Sequence, residues 1–118
     1  MANPNIVNVS SIVGNTQVQA VTTSATTIAN NPAASGKILK INSLIVSNIS
    51  VNTQNITVDL YRNTTAYKLV STVSVAANTS FTAIDKTLAI YLLEGDQLRL
   101  TSSNNSTMQA VCSFEEIS

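Results

Sequence analysis

The chain contains no histidine, and histidine is both the side chain that ordinarily exchanges a proton near neutral pH and the commonest zinc ligand. A Ser-His or Cys-His nucleophile and a His-bound zinc water are therefore excluded. Proton chemistry falls to six carboxylates, Asp59, Asp85, Glu94, Asp96, Glu115 and Glu116. Glu94 and Asp96 flank Gly95, so their side chains can converge on a cation, with Asp85 as a further oxygen donor at the same end of the fold. Calcium takes about six to eight oxygens, more than this turn holds. Ordinary turn chemistry is the stronger reading of the pair; Glu94 and Asp96 are the metal candidates, and no cofactor is expected. A glycosidase needs two carboxylates facing each other across a cleft, with aromatics for the sugar to stack on. The chain has no Trp, three Tyr and two Phe, so an enzyme is not expected. Tyr61, Arg62 and Tyr67 are the candidates for a small glycan-binding patch, against the plainer reading that both tyrosines shield a hairpin edge. Gly14, Gly36 and Gly95 stand alone, so no phosphate-cradling loop exists. Cys112 lies in the alternating run Met108, Ala110, Cys112, Phe114, where a small buried apolar residue is expected in place of a reactive thiol.

The scaffold that must position these groups is legible from composition. Charged residues are 10% of 118 positions, six basic against six acidic. A neutral surface of this kind has no electrostatic footprint for nucleic acid or anionic lipid. Asn, Ser and Thr supply about a third of the chain, and they favour strands and turns over helices. Val, Ile and Leu recur often enough to fill one core, and a chain of this size buries roughly 65% of its unfolded surface. One domain over residues 1–118 is expected, with residues 1–14 as an N-terminal arm able to pack on a neighbouring subunit. The start, MANPN, lacks the basic and apolar blocks of a secretory signal, and no apolar run reaches the ~18 residues of a membrane span; synthesis in a cytoplasm is expected. The triplets at Asn8, Asn48, Asn55, Asn63 and Asn78 read as solvent-facing polar positions and not as glycan sites.

Period-two alternation then sets out the strands. Residues 87–101, TLAIYLLEGDQLRLT, read as a central hairpin that reverses at Gly95, its second strand pointing Leu98 and Leu100 inward. Gly14 and Asn15 are read as closing a first segment begun by Ile6, Val7 and Val9. Residues 16–28 read as one edge strand or a bulged strand, and residues 30–36, NNPAASG, as the strongest break. Residues 37–50 read as a long strand with Leu39, Ile41, Ile45 and Ile49 on one face and Ile38, Leu44 and Val46 on the other. Ile56, Val58 and Leu60 alternate with outward Thr57, Asp59 and Tyr61. In the next strand Leu69, Val73 and Val75 are expected to point inward. About eight or nine strands at this spacing suggest an antiparallel, jelly-roll-like β-sandwich. Few Lys or Arg residues guard its edges, so pairing with copies of itself is expected, most simply as a closed trimer.

The runs VSVAAN (73–78) and TSFTAID (79–85), then YLLEGDQLRLTSS and the ending QAVCSFEEIS, resemble small β-sandwich virion proteins of tailed bacteriophages, especially those of cyanobacterial phages. The likeness covers the chain from about Lys37 onward and rests on turn-and-strand patterns. It implies a structural component of the particle, made in the bacterial host cytoplasm: a capsid decoration or cement protein bound to the major capsid protein. A tail or fibre-associated subunit, or an adhesion module for host-surface glycans, is the alternative. The resemblance brings no active-site residues with it.

Overall fold

The computed structural model describes residues 10–118; the first part of the expected arm, residues 1–9, lies outside the described residues. Nine strands form two antiparallel sheets. They are β1 (Ile12–Val21), β2 (Thr26–Asn30), β3 (Ile38–Asn48), β4 (Gln54–Arg62), β5 (Thr65–Val75), β6 (Ser80–Ile84), β7 (Ile90–Leu92), β8 (Gln97–Ser102) and β9 (Met108–Ile117). The five-stranded sheet runs β1-β9-β3-β6, with β7 taking the other half of β3's edge, and the four-stranded sheet runs β2-β8-β4-β5. The pairings nest: β4 with β5, β3 with β6, β2 with β8 and β1 with β9. A long hairpin rolled into two layers has this order, and it is the jelly-roll arrangement.

The inner faces meet in one core. Ile41, Leu44, Val46, Ile56, Val58, Leu92, Leu98, Leu100, Met108 and Cys112 all have zero exposure, and each large aliphatic among them contributes about 2 kcal/mol relative to its exposed state. The inward run Met108, Ala110, Cys112, Phe114 and the inward pair Leu98 and Leu100 are as the alternation predicts. Burial pushes the Cys112 thiol up to about 12. Asn63 and Thr64, at φ 51° and 61°, make the two-residue turn between β4 and β5, the backbone whose twist suits a tight hairpin. No helix among the described residues is long and apolar enough to cross a membrane.

Several strand readings are corrected by register. Residues 87–101 are not a hairpin: β7 pairs with β3 in one sheet, and β8 pairs with β2 and β4 in the other. Ahead of β7 the chain makes a 3-10 turn, Lys86–Leu88, capped by Asp85, which accepts the Thr87 N–H at 2.9 Å and the Thr87 hydroxyl. Leu88 is therefore 67% exposed. Those hydrogen bonds also hold the Asp85 carboxyl below its ordinary range. Gly95 does turn the chain, at φ 89°, but it carries it from one layer to the next.

In β3 the partner of Phe114 is Ile41 and that of Ser113 is Ser43, so Asn42 is an extra residue. This bulge inverts the phase: Leu39 and Ile41 face inward before it, Leu44 and Val46 after it, while Ile45 and Ile49 are exposed. In β5 a similar irregularity surrounds Thr72, at φ 50°, whose N–H goes to Thr57 Oγ1 at 3.0 Å. Leu69 is consequently exposed, while Val70 and Val73 pack on the core. Gly14 and Asn15 do not end a segment but sit within β1, where Ile12, Val13 and Gly14 pair with β9 of the same chain. Residues 16–28 divide between β1 and β2, which belong to different sheets.

Candidate functional site

The acidic turn between β7 and β8 is tied to its own chain. Arg62, at the end of β4, donates Nε to Asp96 Oδ1 at 2.8 Å and Nη2 to Asp96 Oδ2. Leu93 donates its N–H to the same Oδ2 at 2.8 Å. Asp96 is 2% exposed, and its hydrogen bond raises the Arg62 guanidinium above its ordinary range. Glu94 accepts the Gly36 N–H at 2.6 Å. Buried Asn31 completes the latch, donating Nδ2 to the Lys37 and Leu92 carbonyls and accepting the Ser35 hydroxyl. Its N–H goes to the Asp96 carbonyl, and its own carbonyl takes the Gly95 N–H. The two candidate metal donors thus hold the β2–β3 loop and the β4 end against the turn.

The candidate glycan residues meet different partners. Arg99 lies over the Tyr61 ring, 4.0 Å from its centroid, a cation–π contact. Arg62 is held by Asp96, and Tyr67 is 56% exposed. Sequence reasoning missed Asp59: it was expected to face solvent, yet it is 1% exposed. Arg99 Nε stands 2.8 Å from its Oδ1 and Lys68 Nζ 3.9 Å from its Oδ2. Asp59 is on the outer face as the alternation requires, but Arg99 of β8 and Lys68 of β5 are its cross-strand neighbours and roof it over. No local signal discloses that, because the three residues come from separate strands.

The remaining carboxylates are likewise engaged. Glu116 takes Lys37 Nζ at 3.1 Å and Asn15 Nδ2 at 3.3 Å; Glu115 takes Asn42 Nδ2 at 3.3 Å. Each of the six carboxylates in the chain therefore accepts a hydrogen bond from a named group of the same chain. No group of three or more metal-ligating side chains occurs among the described residues.

What the surface does offer is sheet edge and uncharged face. Val18, Val111 and Ile45 stand in register across β1, β9 and β3, exposed by 71%, 40% and 38%. They are flanked by the rows Thr16, Ser113, Ser43 and Ala20, Gln109, Ser47. At the rim beside β1, an open groove of about 350 Å³ is lined by Asn15, Gln17, Thr27 and Phe114 among others.

No family model and no curated protein matches the chain. Solved structures do. The subunit of Bacillus endospore appendages, described as forming a novel family of disulfide-linked pili, matches 92% of this chain and 88% of its own, with a TM-score of 0.53 and 15% identity. Two crystal structures of a pentameric capsid protein isolated from metagenomic phage sequences match 87% of this chain at 21% identity. They are covered over 62% and 60% of their own length, with TM-scores of 0.46 and 0.44. At these identities the likeness is one of fold: a two-layered β body similar to that of the appendage subunit.

Proposed function

We propose that the protein is a structural subunit of a bacteriophage particle, a capsid decoration protein that binds the shell as a homo-oligomer. The observation that carries this reading is the engagement of all six carboxylates within the chain. With no histidine and the one thiol buried, the side chains that would move protons or attack a substrate instead brace loops and strands. Contact area is what the molecule has left to contribute, and the turn-and-strand resemblance to tailed-phage virion proteins points to the particle. The fold of the Bacillus appendage subunit also supports a role in assembly. Its disulfide linkage does not carry over, because this chain has a single cysteine and Cys112 is at zero exposure in the core.

Averaged images of the intact particle test the proposal. Density for this subunit at regular positions on the shell is the expected result. Density confined to the tail moves it to the tail or fibre reading, and a particle that lacks the protein overturns the proposal.

A further inference from the structure

Among the described residues the sandwich has five edge strands, and four of them carry a device that discourages pairing. β2, β6 and β7 are only 5, 5 and 3 residues long, and β2 is irregular between Thr27 and Ala29. β5 is 11 residues long, but it has register shifts opposite Ile56 and Val58, a left-handed residue at Thr72 and Lys68 along its length. β1 has none of these. Its 10 residues, IVGNTQVQAV, contain no charge and no proline, and they pair with β9 in unbroken register from Ile12↔Ile117 to Val21↔Met108. Among the described residues its second edge has no partner strand. Ile12, Val13 and Val18 along it are 56%, 53% and 71% exposed.

From this contrast we infer that β1 is the assembly edge and that its partner is β1 of a second copy, antiparallel about a two-fold axis. This rests on the homo-oligomer part of the reading above and not on the identity of the particle. An unguarded edge needs an unguarded edge opposite it, and a second copy has one of matching length: the same strand. Because β1 is uncharged, two copies meet without like-charge repulsion, which two β5 edges with facing Lys68 side chains would suffer. Two-fold pairing about Gln17 sets residues 13–21 of the two copies opposite each other, an antiparallel ladder that spans ~31 Å and exchanges about eight to ten main-chain hydrogen bonds, within the number that a typical stable interface carries. Thr16 of each copy then faces Val18 of the other, and the exposed rows Val18, Val111, Ile45 of the two subunits lie on one sheet face, offset to either side of the axis. The geometry departs from the trimer expected from sequence. A ring of three made by edge pairing is head-to-tail and needs two different open edges on each copy; the described residues offer one.

The experiment is sedimentation of the purified full chain over a range of concentration, on the native protein and on Thr16→Lys/Val18→Lys. Both positions are exposed, so far-ultraviolet circular dichroism should be unchanged. The native chain is expected to sediment as a dimer and the lysine variant to dissociate with a Kd raised roughly tenfold or more. Mixing it with Thr16→Glu/Val18→Glu should restore a dimer containing one of each. A native chain that stays monomeric, an oligomer that the lysine pair leaves intact, or dissociation that mixing does not reverse overturns the inference. So does an oligomer lost on deletion of residues 1–9 but kept by the lysine variant, which makes that segment the occupant. All four outcomes are read without the particle, so they separate from failure of the imaging test.

Discussion

Across the outer face of the four-stranded sheet, Thr27, Arg99, Asp59 and Lys68 stand in one cross-strand row; across the five-stranded sheet the comparable row is Val18, Val111, Ile45 and Thr82. The first is closed on itself. Its carboxylate is roofed by two cations, and one of those also stacks on Tyr61. The second is uncharged, holds three exposed aliphatics and leads to β1, the edge strand without a guard among the described residues. The same fold has a finished surface on one layer and an unfinished one on the other. The difference teaches that where a β-sandwich puts its few charges can decide which of its faces remains available to a neighbour.

The comparison can be tested by substitution, beginning beneath both faces. Leu98→Asp sets the upper limit: Leu98 has zero exposure, and a buried unpaired carboxylate there is expected to cost about 4 kcal/mol or more. Thermal and urea melts should show a chain that is unfolded or nearly so; a parent-like melt would mean that Leu98 does not face the core. Asp59→Ala leaves Arg99 and Lys68 facing each other with nothing between, and a loss of about 2 kcal/mol is expected after allowing for the solvent that reaches both cations. Val111→Ser, the matching change in the open row, should shift monomer stability by no more than about 0.5 kcal/mol. Equal losses from these two would erase the contrast between the faces.

Arg62→Ala removes the clamp on Asp96, leaving that carboxylate the Leu93 N–H at 2.8 Å. An expected loss of about 1 to 2 kcal/mol should come with faster amide exchange at Gly36 and Gly95, since Glu94, Gly95 and Asp96 hold the β2–β3 loop as one unit. Cys112 gives the smallest effect at neutral pH. Its thiol is raised in the fold from its ordinary 9.0 to about 12, so stability is unaffected below about 9 and falls as pH rises through the window up to about 12, where the unfolded chain ionises first. Cys112→Ala should flatten that part of the pH profile. A thiol reagent at pH 8 should label the native chain slowly and the denatured chain at once.

How much of this was legible depends on distance along the chain. Strand existence was written in the alternation of Ile56, Val58 and Leu60, of Leu98 and Leu100, and of Met108 to Phe114, because burial on one face is a local pattern. The phase of β3 was not, because the Asn42 bulge changes which of Ile45 and Val46 points inward, and nothing in ILKINSLIVSN marks the extra residue. The supposed hairpin at Gly95 failed for a related reason. A glycine between two apolar runs shows that the chain turns, but not whether the second run returns to the first or crosses to the other layer. Arg62 and Asp96, 34 positions apart, and Asp59 with Arg99, 40 apart, were each visible as charges and invisible as pairs.

The sequence alone determined that this is an all-β chain with a neutral surface, a core of Val, Ile and Leu, and no histidine to exchange a proton. Those are properties of residue type and of period, and they need no partner. Only the tertiary structure decided that the carboxylates are engaged inside the chain, that Asp59 is buried, and that β1 is the long edge left unguarded. An edge exists only once its sheet is assembled: β1 meets β9 across as many as 105 steps of chain, as between Ile12 and Ile117, and the hydrogen bonds that place it there are made by a backbone common to every residue type.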